Sequence, residues 1–214
     1  NQSVAVTEAQ LPEVADNLVC LVEDGDVVAT TPLSELAESF LLVNADRYRT
    51  GTRQPDLGTF PAVLTGLNDV EFTVSGFPRS AKEKLLLIVI SRFIEHRALT
   101  KGSGELHSTF QRLSRLDDEY GTRRMYADLG ESDVETHVYG VRDGSAIASD
   151  LGVTVHEGTS EAYRRSWVVV FTPDGSDGHV ALVAIEVGPN EWRSVWTYDA
   201  ERTERIRSYV LQHF

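Results

Sequence analysis

The sequence predicts an α+β fold in which an antiparallel C-terminal meander packs with one long central helix and a C-terminal helix. Three observations carry this expectation. Residues 167–172, 180–187 and 191–198 (WVVVFT, VALVAIEV, EWRSVWTY) are apolar, strand-like runs joined by the short, turn-rich PDGSDG and GPN. Residues 81–100 carry the longest helical pattern, apolar on most of its circumference from Leu85 to Ile94, as in a helix buried at the centre of a fold. Asp199 is placed as N-cap of the last segment, AERTERIRSYVLQHF.

The remaining elements follow in chain order. Residues 18–22 and 27–30 flank Asp24-Gly25, a strong hairpin signal. Thr31-Pro32 supplies a cap and a first-turn proline for a helix over 32–43. Gly51, Pro55, Gly58, Pro61 and Gly66 punctuate 44–70, which reads as an irregular connection with one helical turn near 62–64. Residues 71–77 form a short strand. Ser80 and Glu83 have capping-box spacing at the start of the central helix, and Gly102 and Gly104 stop it. Strands are expected at 106–113, 134–141 and 153–157, a helix at 122–129 closed by Gly130, and a short helix to Arg165 capped by Thr159 or Ser160. The chain divides into an N-terminal α/β portion, 1–70, incomplete at its start, and a main portion, 71–214, within one compact unit.

The bulk numbers narrow the function. The net charge is −13, and of 20 basic residues only Lys82, Lys84 and Lys101 are lysines. Such a surface suits concentrated salt, where screening removes self-repulsion. It disfavours direct nucleic-acid contact and binding to anionic membranes, since no basic stripe neutralises phosphates. Cys20 is the single cysteine, so neither an internal disulfide nor a cysteine metal site is expected. No signal peptide pattern appears, and the apolar run 85–90 is too short to cross a bilayer, so a cytoplasmic location is expected. Met125 is the only methionine, so the sequence is expected to begin past the natural start. Neither GxGxxG nor a P-loop sits at a strand–helix junction, and no GxSxG elbow exists.

Three constellations remain. Asp117-Asp118-Glu119, flanked by Arg112, Arg115, Arg123 and Arg124, could serve a metal or acid–base role. Consecutive carboxylates do not converge on one point, however. The favoured reading is a structural corner, with Ser114 as N-cap and Asp117 at the third helical position. His137 and Tyr139 share one strand face, with His156 on another strand, but no third ligand is nominated for a metal. Trp192, Ser194, Trp196 and Tyr198 share a face in the meander that Trp167 begins. That face is either a wall for a flat or apolar ligand, or a core face against Ile206, Tyr209 and Val210 of the terminal helix.

Four stretches together resemble the DICT sensory domain: SAKEKLLLIVISRFIEHRAL, GSGELHSTFQRLSRLDDEYGTRRMYADL, DVETHVYGV and VGPNEWRSVWTYD. The similarity spans roughly residues 27–214 and is closest to stand-alone members from halophilic archaea, which carry a further strand and helix before the position of Asn1. Its most specific part is FQRLSRLDDEYGTR with the GPN-x-W turn, and the resemblance makes Arg112, Arg115, Asp117, Asp118 and Arg123 a family hallmark at a structural corner. The resemblance implies a non-enzymatic sensory module, named for its association with diguanylate cyclases and two-component proteins. It supplies no cofactor and no established ligand. The expectation is a signal-sensing domain that binds a small molecule or a signalling protein and shifts between conformations. Its pocket would lie between the central helix and the strands bearing His137, Tyr139, Trp167, Trp192 and Trp196. A protein-interaction scaffold or transcriptional co-regulator, and a metal-dependent enzyme at Asp117-Asp118-Glu119, are the alternatives. A homodimer is compatible with either regulatory reading.

Overall fold

The computed structural model describes residues 17–36, 60–75, 85–118, 121–144, 150–189 and 191–214. Strands β1 (Leu18–Glu23) and β2 (Asp26–Pro32) form the expected hairpin. Asp24 and Gly25 both take positive φ, 51° and 95°, as a tight twist-matched hairpin turn requires. Residues 33–36 are helical, and the rest of the helix expected over 32–43 lies outside the described residues. Helix α1 (Ala62–Gly66) and strand β3 (Phe72–Ser75) follow. The central helix α2 spans Leu85–Lys101; the Ser80/Glu83 capping box precedes the described part. Gly102, at φ 73°, stops α2, its N–H bonded to the Ala98 carbonyl at 3.0 Å.

Strand β4 (Ser103–Arg112), helices α3 (Arg115–Asp118) and α4 (Thr122–Gly130) and strand β5 (Asp133–Val141) come next. Then come β6 (Thr154–Glu157), α5 (Glu161–Arg165), β7 (Ser166–Thr172), β8 (Val180–Gly188), β9 (Glu191–Thr197) and α6 (Ala200–His213). The Asp199 carboxylate caps α6, accepting the Arg202 N–H at 2.7 Å. Two local expectations change. Gly130 lies inside α4, and its missing side chain serves close packing: a Cβ there would sit 1.7 Å from the Leu151 carbonyl oxygen. Ser160 begins α5 through its backbone carbonyl, without a side-chain cap.

The seven-stranded sheet runs β3-β9-β8-β7-β4-β5-β6. Pairings from β3 to β4 are antiparallel, with β7, β8 and β9 forming the meander, while β4-β5 and β5-β6 are parallel. Strand alternation gives this sheet two different faces. One presents Leu106, Val138, Phe171, Leu182, Trp192 and Trp196 to Leu87, Ile90 and Ile94 of α2. The opposite side of α2 carries Val89, which packs with Val63 and Leu64 of α1, beside Leu21 and Ala29 of the hairpin. Sheet on one side and hairpin on the other explain a helix that is apolar nearly all round.

The other face presents Tyr139, Val168, Val170 and Ala181 to Val210 of α6 and Tyr163 of α5. The expectation that Trp192 and Trp196 could face the terminal helix is therefore corrected. They point to α2, while Ile206 and Val210 of α6 lie across the sheet and Tyr209 is largely exposed. The reason is the period of two: Val195 and Thr197, which alternate with Ser194 and Trp196 along β9, take the α6 side.

Trp196 is fully buried, with the Phe60 and Phe93 rings at 5.3 and 6.3 Å. Trp196→Ala is expected to lower the unfolding free energy by about 3–5 kcal/mol, read as a drop in urea midpoint at unchanged slope.

Candidate functional site

The α6 side of the sheet holds two features, separated by α6 itself. The first is polar. Register places His107 of β4 beside His137 of β5, and Tyr139 of β5 beside His156 of β6. Strand spacing then stacks the rings: His107 on His137 at 4.7 Å and Tyr139 on His156 at 4.4 Å, both near parallel. His137 Nδ1 lies 3.0 Å from His156 Nε2. His107 Nδ1 lies 2.9 Å from the Tyr139 hydroxyl, and its Nε2 lies 3.1 Å from Glu105. Arg207 of α6 grips both Glu105 oxygens, at 2.6 and 2.8 Å.

Chemistry assigns the protons in this chain. An ionised Glu105 only accepts, so His107 donates from Nε2 and its Nδ1 accepts from Tyr139. Burial would raise the Glu105 carboxyl, but the hydrogen bonds and charges of Arg207 and His107 outweigh it and hold it below the ordinary value. Burial drives the His107 imidazole down to about 4; the Glu105 contact opposes this and the His137 and Arg207 charges reinforce it. Burial, with Tyr163 and Glu105, lifts Tyr139 to about 12. His156 is lowered by burial and by His137.

A tyrosine, a histidine and a carboxylate in series resemble a nucleophile–base–orienter set. Here His107 is 0% exposed and Tyr139 2%, and neither lines the groove described below. The chain ties α6 to β4 and β5 instead. Among the described residues no group of three or more His, Cys, Asp or Glu side chains is placed to hold a metal ion.

The second feature is a groove of about 890 Å³ on the opposite flank of α6. Its floor is Val183, Ile185 and Val187 of β8 and Val195 of β9. Its wall is the α6 stripe of Ile206, Tyr209 and Val210, which share one helix face. Ile185, Val187 and Tyr209 are 50%, 41% and 55% exposed, so the groove opens to solvent along an apolar floor. Phe214 lines its end and also meets Tyr139 edge-on, with ring centroids 5.9 Å apart. The Tyr163 hydroxyl donates to the Phe214 carbonyl. Groove and polar chain thus share Phe214 as a neighbour.

The sequence-nominated residues separate accordingly. His137 and Tyr139 join His156 on the α6 side. Trp192 and Trp196 lie on the α2 side, within the core, and the Trp167 indole N–H donates to Ser91 Oγ of α2 at 2.9 Å. The five do not surround one pocket. In the stretch 110–123, the Ser114 hydroxyl and N–H both donate to Asp143, and Arg123 pairs with Asp150 at 2.6 Å. Arg112 adds its charge to the groups holding the Asp143 carboxyl below its ordinary value, chiefly the Ser114 hydrogen bond. Arg115, Asp117 and Asp118 form the single turn of α3, and Glu119 lies outside the described residues. Sequence reasoning missed Glu105, His107 and Arg207. Alternation along GELHSTF, with Glu105, His107 and Thr109 opposite Leu106, was the available signal.

No protein-family model matches the chain, and neither does any curated protein or solved structure.

A folded His107 gains its proton only near pH 4, whereas an unfolded histidine gains it near 6.5. Between these values the unfolded chain binds more protons. The His107 contribution to stability is therefore fully present above pH 6.5 and is lost as the pH drops toward 4, by on the order of 3 kcal/mol. The lowered His156 acts in the same direction. Urea midpoints measured from pH 7.5 down to 4.5 should trace this slope, and His107→Gln should flatten it; an unchanged slope contradicts the assignment.

Proposed function

We propose that this chain is a non-enzymatic sensory domain that binds a small, apolar-bodied molecule in the groove between α6 and the β8–β9 floor and passes the signal on through α6. The groove carries the reading. Its volume lies within the range of small-molecule sites, and its floor keeps large aliphatic side chains in water. The resemblance to DICT domains fits a sensory role with output through a partner.

Helix α6 is suited to the relay because its two flanks meet different things. Ile206 and Val210 border the groove, while Arg207 holds Glu105 on the far side. A ligand that wedges against the first flank shifts the population of α6 positions by no more than its difference in affinity for them. A protein-interaction scaffold is the second reading. The exposed Val22, Val27, Val28 and Leu33 of the hairpin region favour it.

The neutral dye Nile red provides a direct test. Wild-type protein is expected to enhance its fluorescence saturably, and Ile185→Glu to lose most of that enhancement. Because Ile185 is half exposed, its replacement should change stability by less than about 1 kcal/mol. Equal enhancement by both proteins removes the groove as a ligand site.

A further inference from the structure

Resting on the groove reading, we infer that the ligand is an aliphatic monocarboxylate of medium chain length, with its carboxylate paired to Arg205. Three observations combine. First, the row Val183, Ile185 and Val187 faces one side of β8. It extends about 13 Å, the reach of an extended chain of roughly ten carbons. The walls offer aliphatic contact along this row, so a flexible hydrocarbon fits it better than a compact polar metabolite.

Second, the cations of the groove differ in their commitments. Arg165 donates to the Glu186 carbonyl at 2.7 and 3.1 Å and lies 3.7 Å from Glu161. Arg202 holds Asp69 at 2.6 Å. Arg205 has no acidic partner among the described residues, although Glu201 stands one helical turn before it. Three acids line the groove beside its three arginines: Asp69 and Glu161 are engaged by Arg202 and Arg165, and Glu186, which alternates with the groove-facing Ile185 and Val187, makes no ion pair with Arg205 among the described residues.

Third, Arg205 stands without an acidic partner among the described residues of a chain of net charge −13, and an arginine so placed beside an apolar channel is against the general trend. Arg205 and Ile206 follow Arg202 by one turn and precede Tyr209 and Val210 by one more, so charge and apolar wall lie along one stripe of α6. A guanidinium offers a carboxylate two parallel N–H donors. A molecule with an anionic head and an aliphatic body thus meets both parts of this stripe at once.

Calorimetric titration of the full chain with decanoate and with 1-decanol, at low salt, tests the inference. Wild-type protein should bind decanoate about tenfold more tightly than decanol, the factor expected for one charge-assisted hydrogen-bonded pair at a rim. Arg205→Gln should remove that preference and leave decanol binding unchanged; Ile185→Glu should weaken both. Equal affinity for the two compounds, or an unaltered preference in Arg205→Gln, overturns the carboxylate assignment while the groove stands as a binding site. Failure of both compounds to bind overturns the groove reading with it. A sedimentation profile showing a dimer that binds neither assigns the groove to a second copy of the chain.

Discussion

Width is the constraint on which the rest of this structure depends. Seven strands at about 4.8 Å spacing make a sheet roughly 30 Å across, and one helix with its side chains covers only about 10–12 Å of it. The α2 face is covered by α2 and α4, with Phe60 and the α1–hairpin layer packed beyond. Among the described residues, the opposite face has only α6 and the five-residue α5. These two helices cover only part of that face. It lies over β7 and β8, leaving the outer part of β8 and β9 as an apolar floor and β4 to β6 as a polar flank.

The polar flank sets where α6 rests. Arg207 reaches Glu105 on the strand where the sheet changes from antiparallel to parallel pairing, and Glu105 passes the contact through His107 to Tyr139. Removing one partner from a buried chain leaves the others unsatisfied, which costs more than the net worth of the hydrogen bond. On the groove flank, α6 is paired near its start through Arg202 and Asp69, which are more exposed than Arg207 and Glu105. Helix α6 is thus held to β4 along one flank and borders the groove along the other; under the proposed sensory reading, occupancy of the groove would bear on the contact with β4.

Much of this architecture was legible in the sequence. The Asp24-Gly25 turn, the meander, the all-round apolar central helix and the Asp199 cap each have a local cause, and each is found. His137 and Tyr139 were recognisable as sharing a face because strand alternation fixes it, whereas His156 is brought beside them by the β5–β6 register. The partition of the two faces was not legible. Nothing local tells that the Trp192/Trp196 side meets α2 while the Val195/Thr197 side meets α6, since both sides of EWRSVWT carry apolar residues. Glu105 and Arg207 are far apart in the chain, and only sheet order brings them together. The groove is harder still to foresee, because it arises from what α6 leaves uncovered.

Hydrogen exchange read by mass spectrometry, with and without decanoate, tests most directly whether the groove and α6 act as one sensing unit. The account predicts slower exchange confined to residues 180–187 and 200–213, with 85–101 unchanged because α2 lies on the other face of the sheet. Protection spread evenly over the chain, or confined to 85–101, would contradict it.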